Sequence, residues 1–309
     1  MTGTHSSRRI NALAAATGAR RYLEVGVNKG DTFLAVEMAE RTAVDPKFRF
    51  DWQAAATPAT RFHQQPSDAF FAQCRDCFDI VFLDGLHVFA QTFRDFCNVL
   101  DVTDERSLIL IDDTVPDDIY SSWPHPRESR GFRRAAGGRG GSWHGDIFKM
   151  VFAIHDFFPR LSYVTIGTEG NPQTLVWHEP RPDFRPLFNS LEAVSRMSWF
   201  EMRRHFATMR VLPEAEALAL VTGRLWPLLE PGAGFDGIVA QKFTPGTDGS
   251  ALHLAAFARP GTRLLAFDTR ALVNQRIVNA VAGLDAHTVP TAPGGRVEEA
   301  AAHLAALLA

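Results

Sequence analysis

Phe78-Asp79-Ile80-Val81-Phe82-Leu83-Asp84-Gly85-Leu86-His87 is a short apolar run that ends at a carboxylate. Leu108-Ile109-Leu110-Ile111-Asp112-Asp113 repeats that pattern about 20 residues later. Runs this short and this rich in β-branched residues read as strands buried on both faces of a parallel sheet. Ligands of such sheets bind beyond the carboxyl ends of the strands. Asp84, Asp112 and Asp113 are therefore expected to converge on one cleft, with His87 one turn into the following helix. Three hard oxygen donors suit Mg²⁺ or Ca²⁺ better than zinc.

The chain upstream supplies the other half of such a site. Arg21-Tyr22-Leu23-Glu24-Val25-Gly26-Val27-Asn28-Lys29-Gly30-Asp31-Thr32 reads as strand, glycine turn and helix, the helix running over about 31–40. A second strand, Thr42-Ala43-Val44, ends on Asp45. Gly26 and Gly30 let the backbone turn tightly and lie against a ligand. Asp45, about 20 residues on, is placed to hold ribose hydroxyls. Both a dinucleotide and S-adenosylmethionine (SAM) meet that description. The motif is Glu-x-Gly-x-x-x-Gly, with Asn28 where a dinucleotide site has its middle glycine. A pyrophosphate beside Glu24 would be repelled, whereas a sulfonium and an α-ammonium would be attracted, which favours SAM.

Several pieces in order carry a family resemblance. They are Leu-Glu-Val-Gly-Val-Asn-Lys-Gly (23–30), Val-Asp-Pro (44–46), Pro-Ser-Asp-Ala-Phe-Phe (66–71), the run at 78–87, Arg-Asp-Phe (94–96), Ile-Asp-Asp (111–113) and Gly-Asp-Ile-Phe-Lys (145–149). Over 22–177 the chain resembles class I SAM-dependent methyltransferases, the bacterial branch related to macrolide-sugar O-methyltransferases and, more distantly, catechol O-methyltransferase. The resemblance implies an α/β fold, a Rossmann-like sheet with helices on both faces. It implies that Glu24, Gly26 and Gly30 line the methionine part of SAM, that Asp45 takes the ribose hydroxyls, and that Ser67 and Asp68 sit at the adenine edge. Asp84 and Asp113 match metal-ligand positions, with Asp112 beside them, and His87 falls where catechol-type enzymes carry a general-base lysine. The chain departs from close relatives at Asp112, where many carry His, and at Asn28.

These residue types suit one chemistry. A hydroxyl is a poor nucleophile until it loses its proton, which a divalent ion promotes and a nearby imidazole accepts. The expectation is Mg²⁺-assisted O-methylation of a sugar, glycan or small natural product, with His87 as the catalytic base. The alternatives are a metal-independent methyltransferase whose carboxylates bind substrate directly, and an inactive methyltransferase-like protein tied to glycan binding or glycosyl transfer. Blander roles compete at each position. Strand-end aspartates also cap helices, His87 can serve a backbone carbonyl, and Lys149 suits a surface salt bridge. No Asn-Pro-Pro-Tyr motif of amino-group methylation is present.

Composition narrows the class. The 309 residues are 46% hydrophobic and 22% charged, ample for a large core. A net charge of −3 gives no footprint for nucleic-acid binding. The start of the chain has no apolar signal region and no run reaches membrane-spanning length, so a cytoplasmic protein without membrane insertion is expected. Cys74 and Cys77 form a lone C-x-x-C, expected on the helix after Ser67-Asp68 as packing or exposed thiols.

The segment 114–143 holds three prolines, four late glycines and Arg127, Arg130, Arg133, Arg134 and Arg139. A loop this long beside Asp113 is expected to hang over the cleft, as a lid for an acidic acceptor or as a solvated loop. A helix at 146–158 and strands near 161–167 and 174–178 would complete the sheet. Glu179-Pro180-Arg181-Pro182 suggests a boundary between a domain at 1–180 and an extension at 181–309. Residues 186–211 read as one helical stretch, with Phe188, Leu191, Val194, Met197 and Phe200 at helix spacing. Around 249–267 the chain weakly resembles the nucleotide-binding end of a polysaccharide glycosyltransferase family, with His253 expected at a helix start.

Overall fold

The computed structural model describes residues 3–222 and three strands beyond them, Gly237–Ala240, Arg263–Ala266 and Asp285–Thr288. The chain divides into a unit at 1–224 and a second at 225–309.

The first unit is built on an eight-stranded sheet of order β3-β2-β1-β4-β5-β7-β6-β8. Its strands are β1 (Arg21–Val25), β2 (Glu40–Val44), β3 (Thr60–His63), β4 (Ile80–Leu83), β5 (Leu108–Ile111), β6 (Leu161–Ile166), β7 (Gln173–His178) and β8 (Val211–Leu212). The first five pair in parallel, β7 runs antiparallel to both β5 and β6, and β8 lies parallel to β6. All four residues of β4 and of β5 are buried, as their unbroken apolar runs require. The helices are α1 (His5–Thr17), α2 (Ser67–Phe71), α3 (Phe89–Leu100), α4 (Pro126–Ala135), α5 (Lys149–Phe157), α6 (Leu191–Arg196), α7 (Trp199–Arg204) and α8 (Glu214–Thr222). Helix α3 buries Phe89, Thr92, Phe96 and Val99, one stripe at helical spacing. Phe82, Phe96 and Phe152 are fully buried, and truncating any of them to Ala should cost about 3–5 kcal/mol.

Register sets the position of the site. Val25 pairs with Val44 and with Leu83, and Leu83 pairs with Ile111. The ladder continues one residue further: Gly26 N–H donates to Val44 O, Asp84 N–H to Val25 O and Asp112 N–H to Leu83 O, at 2.9, 2.9 and 3.0 Å. The residues that follow these strands are thereby held in line along one edge of the sheet.

Four expectations fail locally. The helix at 31–40 is reduced to a 3₁₀ turn, Phe33–Ala35. Side chains take the backbone groups that a helix would pair internally. Asn11 donates to Ala35 O and accepts from Glu37 N–H, and Arg41 donates to Val36 O. The stretch 186–211 is not one helix: Ser198 starts α7 with a capping box, Glu201 answering it, and breaks the run after Met197. Cys74 and Cys77 lie past the end of α2, as free thiols, bonded separately to Asp76 O and Asp104. The boundary at 180 gives way to one at 224, because β8 adds to the sheet and Glu214 of α8 bonds Arg9 of α1.

In the second unit, strands β9 (Gly237–Ala240), β10 (Arg263–Ala266) and β11 (Asp285–Thr288) form a parallel sheet of order β11-β10-β9. Most of the 249–267 segment, His253 included, lies outside the described residues.

Candidate active site

Glycine makes the cleft possible. Gly26 adopts φ +95°, and a Cβ there would collide with the Asp84 carbonyl and the Gly85 Cα. The first turn can lie this close to the β4 end only without a side chain. Gly30 (φ +79°) and Asn28 (φ +50°) complete the left-handed turn. A cleft of about 600 Å³ opens there, lined by Gly26, Asn28, Asp45, Ser67, Asp68, Asp84, His87 and Trp143 among others. A second cavity, about 400 Å³, lies against the same turn and shares Gly26, Asn28 and Asp84 with the first. Glu24, Thr32, Asp112, Asn171 and the start of α1 line it. Both fall in the size range of small-ligand pockets.

Asp45 is pinned by backbone. Asn28 N–H donates to Oδ2 at 2.8 Å and Lys47 N–H to Oδ1 at 2.7 Å. Each oxygen keeps a lone pair for a ligand hydroxyl. Ser67 and Asp68 begin α2 at the far wall, reached by the Gln91 amide, and Arg94 holds Asp68 at 2.9 Å.

The carboxylates after β4 and β5 do converge, with His87 between them. His87 Nε2 lies 3.1 Å from Asp84 Oδ1 and Nδ1 lies 2.8 Å from Asp113 Oδ2. The Nδ1 contact lacks hydrogen-bond alignment, so it acts as an ion pair. Burial alone would lower the imidazole pKa, but the two carboxylates outweigh it and push it up to about 10. His87 is therefore a cation at neutral pH. It sits in the turn before α3, not inside a helix as expected, because α3 starts at Phe89, whose N–H is capped from a distance by Asp146 Oδ1 at 2.7 Å.

Burial, and then neighbouring carboxylates, raise the pKa of Asp112 well above the ordinary range, and burial raises Asp84 too. Glu24, 1% exposed, is raised by burial as well; its hydrogen bond from Tyr22 Oη at 2.6 Å opposes the shift and Asp84 adds to it. This wall thus gathers four acids, Glu24, Asp84, Asp112 and Asp113, around His87, with Lys29 also lining the smaller cavity, an excess of acids that a positively charged ligand relieves.

The three carboxylates expected to hold Mg²⁺ all have partners within the protein. Asp84 and Asp113 grip His87, and Asp112 is turned to Gln173 Nε2 at 2.7 Å and Asn171 Nδ2 at 3.3 Å. Among the described residues no group of three or more His, Cys, Asp or Glu side chains is placed to hold a metal ion.

The segment after Asp113 closes the cleft from the other side, and much of it is ordered by its own contacts. Trp143 stacks on His87, with centroids 5.4 Å apart and planes 19° apart. Its Nε1 donates to Trp123 O, and Trp123 meets Phe132 of α4 edge-on. Gly145 (φ +66°) passes so close to the His87 carbonyl that a Cβ would collide with it. Of the five arginines expected over the cleft, Arg133 is committed internally, to Asp118 at 2.6 and 2.9 Å. Lys149 braces the segment through Asp146 and Ser195 O, a structural role. Trp143 and Gln91 line the cleft without having been marked by the sequence pattern, and Asp95, from the Arg-Asp-Phe piece, lines it with no role assigned in advance. An isolated Trp after a glycine run carries no local signal of where it lands.

The family comparison meets this geometry directly: the model of the family described as a methyltransferase domain matches residues 12–114, from α1 through the carboxylates after β5. The match covers a third of the chain and falls wholly within the first unit. Solved structures similar to it include the O-methyltransferase TomG from Streptomyces achromogenes, involved in tomaymycin synthesis and solved with SAM. It is 17% identical, covering 56% of this chain and 79% of its own, with a TM-score of 0.39. A putative O-methyltransferase from Klebsiella pneumoniae is 16% identical over 58% of this chain and 82% of its own, TM-score 0.42. An O-methyltransferase from Bacillus cereus in complex with SAH, S-adenosylhomocysteine, is 15% identical over 57% and 82%, TM-score 0.40. A search of curated proteins gives no match. Among the described residues, no helix is long and apolar enough to cross a membrane.

Proposed function

We propose that the domain transfers the methyl group of SAM to a hydroxyl of a small-molecule acceptor, a sugar, glycan or other natural product, in the cytoplasm. The observation that carries this reading is the alignment of Gly26, Asp45 and Asp84 at three adjacent strand ends around one cleft. Asp45 would hold the ribose hydroxyls, Ser67 and Asp68 the adenine edge, and Glu24, Gly26 and Gly30 the methionine end. Bound SAM supplies an electrophilic methyl group, and the chain's own residues do the rest. The glycine turn fixes the direction of approach, the buried acids favour a cationic ligand, and Trp143 shields His87 from water on one face. His87 takes the hydroxyl proton. As a cation it must first surrender its own proton, so turnover should rise with pH through the alkaline range toward about 10.

A second reading keeps the Mg²⁺ expected of Asp84, Asp112 and Asp113, and requires His87 to leave the carboxylates it now bridges. The test is turnover of a panel of hydroxyl acceptors with SAM, before and after chelation and with Mg²⁺ returned. Activity that survives chelation and rises with pH is the expected result. Loss on chelation with recovery by Mg²⁺ would shift the assignment to the metal-assisted form. SAM binding without turnover of any acceptor would favour the inactive, glycan-associated alternative.

A further inference from the structure

Arg9 is fully buried and spends its guanidinium entirely inside the fold. Nε donates to Glu214 Oε2 of α8 at 2.6 Å, Nη1 to Asn171 O and Gln173 Oε1 at 2.8 Å each, and Nη2 to Thr168 O and Glu169 O. It thereby ties α1, the β6–β7 hairpin and α8 together. Arginine has donors and no acceptor, so the Gln173 atom facing it must be the amide oxygen. The orientation of the amide is forced, and its NH₂ must point the other way. That NH₂ donates to Ser6 Oγ and to Asp112 Oδ1, at 2.7 Å each. Gln173 itself has no exposed surface, so no water competes.

We propose that Gln173, oriented by Arg9, is a positioning residue that fixes Asp112 as a cofactor-facing acceptor in the 400 Å³ cavity, rather than as a metal ligand. The inference rests on the SAM-dependent reading of the site. Asp112 lines that cavity together with Glu24, Gly26 and Asn28, and Glu24 and Gly26 are proposed to meet the cationic methionine end. Without Gln173 the carboxylate would lose its 2.7 Å partner and keep only Asn171 and the neighbouring Asp84 to orient it.

A four-protein cycle tests this, with SAM affinity read by calorimetry: wild type, Gln173→Glu, Asp112→Asn and the double variant. Gln173→Glu keeps an acceptor toward Arg9 but sets a carboxylate against Asp112. Asp112→Asn preserves size and can still accept from Gln173. In the double variant the new amide at position 112 can donate to the new carboxylate at position 173. Asp112→Asn should weaken SAM binding about tenfold, the range for losing a hydrogen bond to a charged group. Gln173→Glu should weaken it by at least as much when introduced into wild type, and hardly at all when introduced into Asp112→Asn. A structural role alone would not produce that dependence. If Gln173→Glu fails to fold, the double variant should fold, as judged by its thermal melt. Equal losses from Gln173→Glu in both backgrounds, or unchanged SAM affinity in Asp112→Asn, would overturn the proposal. Failure of the wild type to bind SAM would instead remove the methyltransferase reading.

Discussion

The two walls of the cleft are built by different means. The wall made by the ends of β1, β2 and β4 is a backbone structure: a glycine turn too close to Asp84 for any side chain, and an Asp45 pinned by two amide N–H groups. Beyond it, Arg9, fully buried, ties α1 to the β6–β7 hairpin and α8. The opposite wall, made by the segment after Asp113, is a side-chain structure of Trp143 on His87 and Trp123 against Phe132, with Phe132 47% exposed. A backbone wall tolerates little change and suits a ligand that never varies. A side-chain wall can be rebuilt residue by residue, which suits an acceptor that differs from one methyltransferase to another.

That contrast predicts a ranking of mutational effects. Arg9→Met should be the most damaging change to the fold. It leaves Glu214, Gln173 and three backbone carbonyls without their buried partner, and the loss should be about 3–5 kcal/mol, measured by denaturant unfolding. Stability within about 1 kcal/mol of wild type would mean that the fold does not depend on this anchor.

His87→Gln should leave the fold intact and lower kcat by roughly 10²–10⁴-fold with little change in SAM affinity. It should also flatten the alkaline rise of the pH–rate profile. The same histidine makes a stability prediction. Its folded pKa of about 10 lies above its unfolded value near 6.5. Its contribution is therefore complete below about pH 6.5 and is lost as pH rises through about 10. Thermal melts across that window should show a decline in wild type that is absent in His87→Gln. Parallel declines would show that the carboxylates do not hold His87 as a cation.

Smaller still is the expected effect on the exposed side. Trp123→Ala, which removes the edge-on contact with Phe132 and leaves the Trp143 stack on His87, should change acceptor KM and leave SAM affinity within about twofold, below the roughly 1.4 kcal/mol of a tenfold change. A matching loss of SAM affinity would erase the distinction between the walls.

The legible and illegible parts of the sequence divide along the same line. The apolar runs of β4 and β5 and their terminal carboxylates were readable because burial on both faces demands unbroken Val, Ile, Leu and Phe. Gly26 and Asp45 were readable because a tight turn and a strand tip constrain residue type locally. The lost helix at 31–40 was not readable, since Asn11 and Arg41, distant in sequence or on the next strand, capture its backbone groups. Nor was the cationic state of His87, which depends on two carboxylates from different strand ends. Arg9 reads as an ordinary surface residue of an amphipathic helix until α8 and the β6–β7 hairpin close over it.

The most direct test of the account is calorimetric titration of the full chain with SAM, SAH and NAD, repeated on Asp45→Ala. Binding of SAM and SAH at micromolar level, negligible binding of NAD, and a loss of about 1.5–3 kcal/mol on removing the Asp45 carboxylate are the predicted results. NAD binding without SAM binding, or an Asp45→Ala variant that binds SAM as tightly as wild type, would contradict the assignment of this cleft.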